Sequence, residues 1–191
     1  MRKLVYFVGL SLDGYIAGPN GELDFYPLSD EMWEWLRAEY PETLPTHVRP
    51  HVGIAADAPN RKFDTLVMGR GTYDPALAIG VTSPYAHMKQ YVVSSTLGRI
   101  DDPSVELVER DPVGLVRELK QQSGLDIWLA GGGKFAAALL EEIDELVIKS
   151  YPVVAGAGVP GFAGEFRPTL FRPTRRAEVG GGVQVSWFTR A

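Results

Sequence analysis

Three consecutive glycines and a lysine, Gly131-Gly132-Gly133-Lys134, separate the apolar run Asp126-Ile127-Trp128-Leu129-Ala130 from Phe135 and an alanine-rich stretch. This junction constrains the fold more than any other feature. A buried strand must stop and a helix must start with almost no connecting chain, which is the signature of helices laid on a largely parallel sheet. A tight turn needs only one residue with positive φ, so three glycines exceed the geometric requirement. They let backbone N–H groups come close to a ligand, and the helix start favours negative charge. A pyrophosphate is the natural guest.

The rest of the chain repeats the alternation. Residues 3–10 form a near-continuous apolar run, predicting a strand buried on both faces. Residues 11–21 read as a structured loop from their Asp-Gly, Gly-Pro and Asn-Gly steps. Ser29 caps a helix with Met32, Leu36 and Tyr40 on one side, stopped by Pro41. Strands are predicted at 64–69, 90–95, 105–108, 126–130 and 145–151, with helices from Arg70 to about Leu77 (Pro75 near its start), after Asp111-Pro112, and after Lys134. A terminal hairpin, 174–179 and 183–189, turns at Gly180-Gly181-Gly182. The expected architecture is one α/β domain over residues 1–191, a mostly parallel sheet with an antiparallel edge.

Composition removes several function classes. The 191 residues include no cysteine, which excludes a disulfide scaffold, a thiol nucleophile, an iron–sulfur cluster and a thiolate zinc site. A net charge of −5 without Lys or Arg runs argues against a nucleic-acid binder. The basic-then-apolar start is interrupted by Ser11-Leu12-Asp13-Gly14 too early for a signal peptide, and no apolar stretch spans a bilayer. A cytoplasmic protein is expected. His47 and His51 are separated by Pro50 and have no third ligand, so no metal site is expected. No Gly-x-Ser-x-Gly elbow is present.

Two named phosphate motifs do not apply. A Walker A loop fails because Trp128 and Phe135 stand where it needs Gly and Ser or Thr. The pattern from Gly131 to Ala136 matches G-x-G-x-x-A, but no acid closes the next strand as a Rossmann site wants. Two further strand ends carry anion-friendly groups: Met68-Gly69-Arg70-Gly71-Thr72-Tyr73, with a planar guanidinium, and Ser94-Ser95. Ligands of open α/β sheets bind outside the carboxyl ends of the strands. Three such ends together suit an extended ligand with several phosphates, and NADPH fits best.

Ser11-Leu12-Asp13-Gly14-Tyr15-Ile16-Ala17, Val67-Met68-Gly69-Arg70-Gly71-Thr72-Tyr73, Tyr91-Val92-Val93-Ser94-Ser95 and Leu129-Ala130-Gly131-Gly132-Gly133-Lys134, in this order and spacing, resemble the dihydrofolate reductase superfamily. The closer similarity is to the branch of the C-terminal reductase domain of the bifunctional riboflavin-biosynthesis deaminase-reductase. Ile143-Asp144-Glu145-Leu146, Pro152-Val153-Val154 and Gly158-Val159-Pro160-Gly161-Phe162 also look like that branch. The resemblance implies a dihydrofolate-reductase-like fold and an NADPH-dependent reductase. It implies that Gly69, Arg70, Gly71 and Thr72 hold cofactor phosphates, that Ser94 and Ser95 lie by the adenosine ribose and its 2′-phosphate, and that Gly131, Gly132, Gly133 and Lys134 bind the pyrophosphate. Ile16 and Ala17 would lie against the nicotinamide. Asp13, and Glu31 at the first helix start, are the catalytic candidates.

The substrate so implied is 5-amino-6-(5-phosphoribosylamino)uracil or a similar heterocycle. Dihydrofolate reduction, or a non-catalytic dinucleotide-binding module, are the alternatives. The zinc-binding deaminase part of the bifunctional protein has no counterpart here. Lys149 projects near the proposed pocket, to meet an anionic substrate or to snorkel into solvent. A homodimer is expected, with Trp187 and Phe188 as apolar excess on the terminal hairpin. Residues 41–63, with four prolines, are expected to be extended and, with the loop after Pro152, to border the substrate pocket as a lid; a surface wrap or a dimer contact is the alternative.

Overall fold

The computed structural model describes residues 1–55 and 57–191. Its strands are β1 (Leu4–Leu10), β2 (Tyr15–Ala17), β3 (Phe63–Gly69), β4 (Lys89–Val93), β5 (Val105–Val108), β6 (Asp126–Leu129), β7 (Glu145–Ser150), β8 (Val159–Pro160), β9 (Phe171–Val179) and β10 (Val183–Arg190). The helices are α1 (Asp30–Glu39), α2 (Arg70–Ala78), α3 (Pro112–Gln121) and α4 (Gly133–Ala138). The main sheet runs β5-β4-β3-β6-β1-β7-β10-β9. It is parallel from β5 to β7, and β10 and β9 add the antiparallel edge. A separate ribbon pairs β2 with β8.

Period-two alternation explains why both faces of β1 are apolar. Leu4, Tyr6 and Val8 enter one core with Val67, Leu129, Val116 and Leu119 of α3, and Ala136 of α4. Val5 and Phe7 enter the other, with Met32 and Leu36 of α1. That second core is aromatic: Phe7 lies 4.5 Å from Tyr40 by ring centroids, and Phe63 packs on Tyr40 and Trp128. Ser29 caps α1, its hydroxyl oxygen accepting the Met32 N–H at 3.2 Å. Pro75 is not near the start of α2 but inside it. Lacking an N–H, it cannot donate to the Gly71 carbonyl, and the helix is short.

The segment 41–63 differs from the expectation. Its prolines do not hold it extended; Pro41 and Pro50 open two 3₁₀ turns, Pro41–Thr43 and Arg49–Val52. Nor does it border the glycine-rich end of the sheet. Glu42 is fully buried and accepts the N–H groups of Lys62 at 2.7 Å and Phe63 at 3.0 Å, where β3 begins. The Glu42 carbonyl is 2.8 Å from His87 Nε2, and Thr46 Oγ1 is 2.8 Å from Nδ1. The Thr46 N–H reaches the Pro84 carbonyl. Leu44 and Ile54 complete the aromatic core. These anchors all lie at the amino ends of β3 and β4, opposite the strand ends that carry Gly69, Ser94 and Gly131. The lid reading is therefore corrected: four prolines indicate local backbone geometry, not the end of the sheet a segment plugs.

The terminal hairpin extends the sheet, but Trp187 is not spare surface. Its Nε1 donates to Tyr40 Oη at 2.8 Å, its ring meets Trp35, and the Arg175 guanidinium covers it at 4.4 Å. Phe188 packs on the α3–α4 core.

Because Glu42 satisfies buried donors at the start of β3, Glu42→Ala should cost about 2–4 kcal/mol of unfolding free energy in urea. Glu42→Gln, which keeps an acceptor, should cost less. Equal stability of wild type and Glu42→Ala would refute this.

Candidate active site

The carboxyl ends of β3, β4, β6 and β1 form one rim, and the chain brings its glycine-rich junctions there. After β6, Gly131 and Gly132 have φ of 128° and 91°, a backbone that other residues rarely adopt. Gly133 faces a different constraint: a side chain there would overlap the Pro160 carbonyl oxygen of β8. Its own carbonyl accepts the Ala163 N–H at 2.9 Å. Among the described residues, no backbone carbonyl takes the N–H groups of Gly131, Gly132 and Gly133. They form a cradle of open donors.

The start of α2 adjoins this cradle. A Cβ on Gly69 would stand 3.9 Å from the Gly131 carbonyl oxygen, and one on Gly131 would stand 3.8 Å from Thr72 Oγ1. Gly71 has open space beside it. Arg70 is half-exposed and pairs with Asp74 at 3.2 Å, while its Nη1 donates to Thr96 Oγ1 at 3.1 Å. It thus ties α2 to the turn after β4. In that turn the buried Ser94 hydroxyl oxygen accepts the N–H groups of Thr96 at 3.2 Å and Leu97 at 3.1 Å, and Ser95 is exposed. Gly69, Arg70, Thr72, Ser94, Ser95 and the glycine loop therefore share one edge. Lys134 is exposed and lines a groove of about 550 Å³ with Ala137, Phe162, Arg167 and Phe171, on the outer side of α4.

Ile16 and Ala17 reach the rim through the β2–β8 ribbon. Gly161 N–H donates to the Gly14 carbonyl at 2.9 Å, and Tyr6 Oη donates to the Gly161 carbonyl at 2.8 Å. Tyr26 Oη donates to the Tyr15 carbonyl at 2.8 Å, holding the ribbon to β1. Neither the ribbon nor Tyr26 is marked in the sequence. Strands of three and two residues carry no readable period, and a lone tyrosine in a loop carries no motif.

Asp13 is exposed. Its carboxylate accepts the Ser11 hydroxyl at 2.6 Å and the N–H groups of Ala155 at 3.0 Å and Gly156 at 2.7 Å. The Ser11 bond above all, with the two N–H groups, holds it down to about 2. At neutral pH this group is an ionised clasp between two loops. Glu31 is also exposed; it sits against the hairpin turn, where a Cβ on Gly180 would overlap it. The Ser29 hydroxyl lowers its pKa.

A family model described as the RibD C-terminal domain matches residues 2–185. The chain belongs to that family. Bacillus subtilis (strain 168) has a similar protein, the uncharacterized protein YwjB, 27% identical over 188 residues and covering 97% of each chain. Among solved structures, a Shewanella sp. PV-4 protein assigned provisionally to riboflavin biosynthesis is similar over 100% of this chain and 99% of its own, with TM-score 0.74 and 26% identity. The Thermotoga maritima diaminohydroxyphosphoribosylaminopyrimidine deaminase/5-amino-6-(5-phosphoribosylamino)uracil reductase shares the fold at TM-score 0.66 and 14% identity; this chain is covered fully and spans 57% of that one. The RibD C-terminal domain fold is dihydrofolate-reductase-like, and membership assigns the chain a riboflavin-biosynthesis reductase-like role, that of an oxidoreductase.

The Asp13 clasp is directly testable. Asp13→Asn should speed amide exchange across 152–158 while leaving the pH profile of turnover near neutrality unchanged. In the wild type the clasp's contribution is complete above the unfolded carboxylate value, about 4, and is lost as pH falls toward about 2. Unchanged exchange in the variant would overturn this assignment.

Proposed function

We propose that this protein is an NADPH-dependent reductase of 5-amino-6-(5-phosphoribosylamino)uracil or a closely similar heterocycle, acting in the cytoplasm. One observation carries the reading: the open N–H donors of Gly131, Gly132 and Gly133 stand beside the α2 start and its Arg70, while Arg70 reaches the turn containing Ser94 and Ser95. The two halves of that edge are suited to a pyrophosphate and a 2′-phosphate respectively. The backbone N–H groups of Gly131, Gly132 and Gly133, which no backbone carbonyl takes among the described residues, fit the pyrophosphate of that cofactor. When bound, the reduced nicotinamide supplies a hydride.

This chain's residues do the rest. The glycine loop orients the pyrophosphate through fixed donors that need no reorganisation. Arg70, already fixed by Asp74 and Thr96, presents its remaining N–H groups to phosphate oxygens. Ile16 and Ala17, held on the ribbon, give the nicotinamide an apolar wall that keeps water off the transfer path.

Tryptophan fluorescence titrations should show tighter binding of NADPH than of NADH. Arg70→Ala should weaken NADPH about tenfold and NADH much less, in keeping with one charged hydrogen-bonded contact. Equal affinities in the wild type would overturn the cofactor assignment. Turnover of the phosphoribosylaminouracil but not dihydrofolate would support the substrate; the reverse would replace it.

A homodimer is also proposed. Phe166 and Leu170 are 96% and 79% exposed, and their chain neighbours Glu165, Arg167, Thr169 and Phe171 line the α4 groove. Sedimentation at micromolar concentration should give twice the 21.0 kDa chain mass, and a lone 21.0 kDa species would refute the dimer.

A further inference from the structure

Lys149 stands one residue before the carboxyl end of β7, between Gly9 of β1 and Val185 of β10. It therefore lies at the same end of the sheet as the glycine loop, but on the α1 face. Its Nζ is 4.1 Å from the centre of the Phe7 ring. It is half-buried, and among the described residues no hydrogen bond or ion pair engages its ammonium.

The surroundings are aromatic and uncharged. Phe7 is shared with Trp35 and Tyr40 of the α1 region. Tyr151 lies over Gly9 beside the lysine stem, and Tyr26 packs on Tyr151 at 4.6 Å. Burial raises all three phenols, Tyr26 and Tyr151 to about 12, so each is neutral at physiological pH. From β10 the facing residue is Val185. Of the four acids of α1, Glu31 lies against Gly180 and Glu39 faces Arg175, and among the described residues neither Asp30 nor Glu34 forms an ion pair with Lys149. An ammonium that only needed solvent would extend outward; this one folds back over a ring, where its three donors lack an acceptor.

We propose that Lys149 is the specificity-determining group of the substrate site, its ammonium receiving an anionic group carried by a flat heterocycle laid against this aromatic wall. The inference rests on the reductase reading for the use of this end of the sheet, and extends it by naming the residue that selects an anionic substituent on the substrate. The ring contact leaves the ammonium's donors without an acceptor, and a planar ring fits beside aromatic side chains. Desolvation pushes the free lysine down to about 7. A bound anion must push it back up, so binding takes up protons above about pH 7 and the anion's affinity falls there by up to tenfold per pH unit.

The probes are orotate and uracil, the same pyrimidine ring with and without a carboxylate, titrated calorimetrically into the full chain with and without NADP. Orotate should bind at least about tenfold more tightly than uracil below pH 7, with proton uptake as pH rises. Lys149→Met should erase the preference. Lys149→Arg should restore the preference and remove its pH dependence, because guanidinium stays charged. In the unmutated protein, acetylation of Lys149 read by peptide mass spectrometry should be suppressed by orotate but not by uracil. Equal binding of the two probes, or a preference that survives Lys149→Met, overturns the assignment. Failure of NADPH to bind in a separate fluorescence titration would defeat the reductase reading without touching this comparison.

Discussion

The contact between Gly133 and the Pro160 carbonyl governs how this molecule is assembled at its working end. Two backbones meet there with no room for a Cβ, so α4 and the β2–β8 ribbon approach as closely as chains can. The glycine loop then lies directly beneath the ribbon that carries Ile16 and Ala17. The tyrosine bonds are secondary to this approach: Tyr6 holds Gly161 and Tyr26 holds Tyr15, each fixing a ribbon whose position the glycine permits. A methyl group at residue 133 would separate the two surfaces on which the proposed cofactor depends.

Much of the framework was legible in the residue order. β1 is apolar on successive residues because both its faces are covered, and the glycine junctions after β3 and β6 mark the strand ends that face a ligand. The grouping of Gly69, Arg70, Ser94 and Gly131 follows from parallel strands side by side, since their carboxyl ends must share a rim. The ribbon was not legible, because its strands are too short to alternate. The role of Asp13 was not legible either: its partners Ala155 and Gly156 stand 142 and 143 residues away, and no local pattern announces them. Sequence suggested an acid in a glycine-flanked loop; structure shows an acid that accepts three hydrogen bonds from its own chain.

Segment 41–63 shows a different limit. Its prolines define short 3₁₀ turns, but Glu42 decides where the segment goes, and nothing in its neighbourhood marks it as a buried acceptor. The carboxylate pins the start of β3 while the adjacent carbonyl pins His87. One residue thus joins a proline-rich excursion to two strands.

That arrangement gives the sheet an anchored end and a working end. Ordering at the amino ends comes from buried acceptors and aromatic packing, whereas ordering at the carboxyl ends comes from backbone approach and exposed clasps such as Asp13. Breathing motions that admit and release a ligand can then be confined to the ribbon and its flanking loops without loosening the aromatic core.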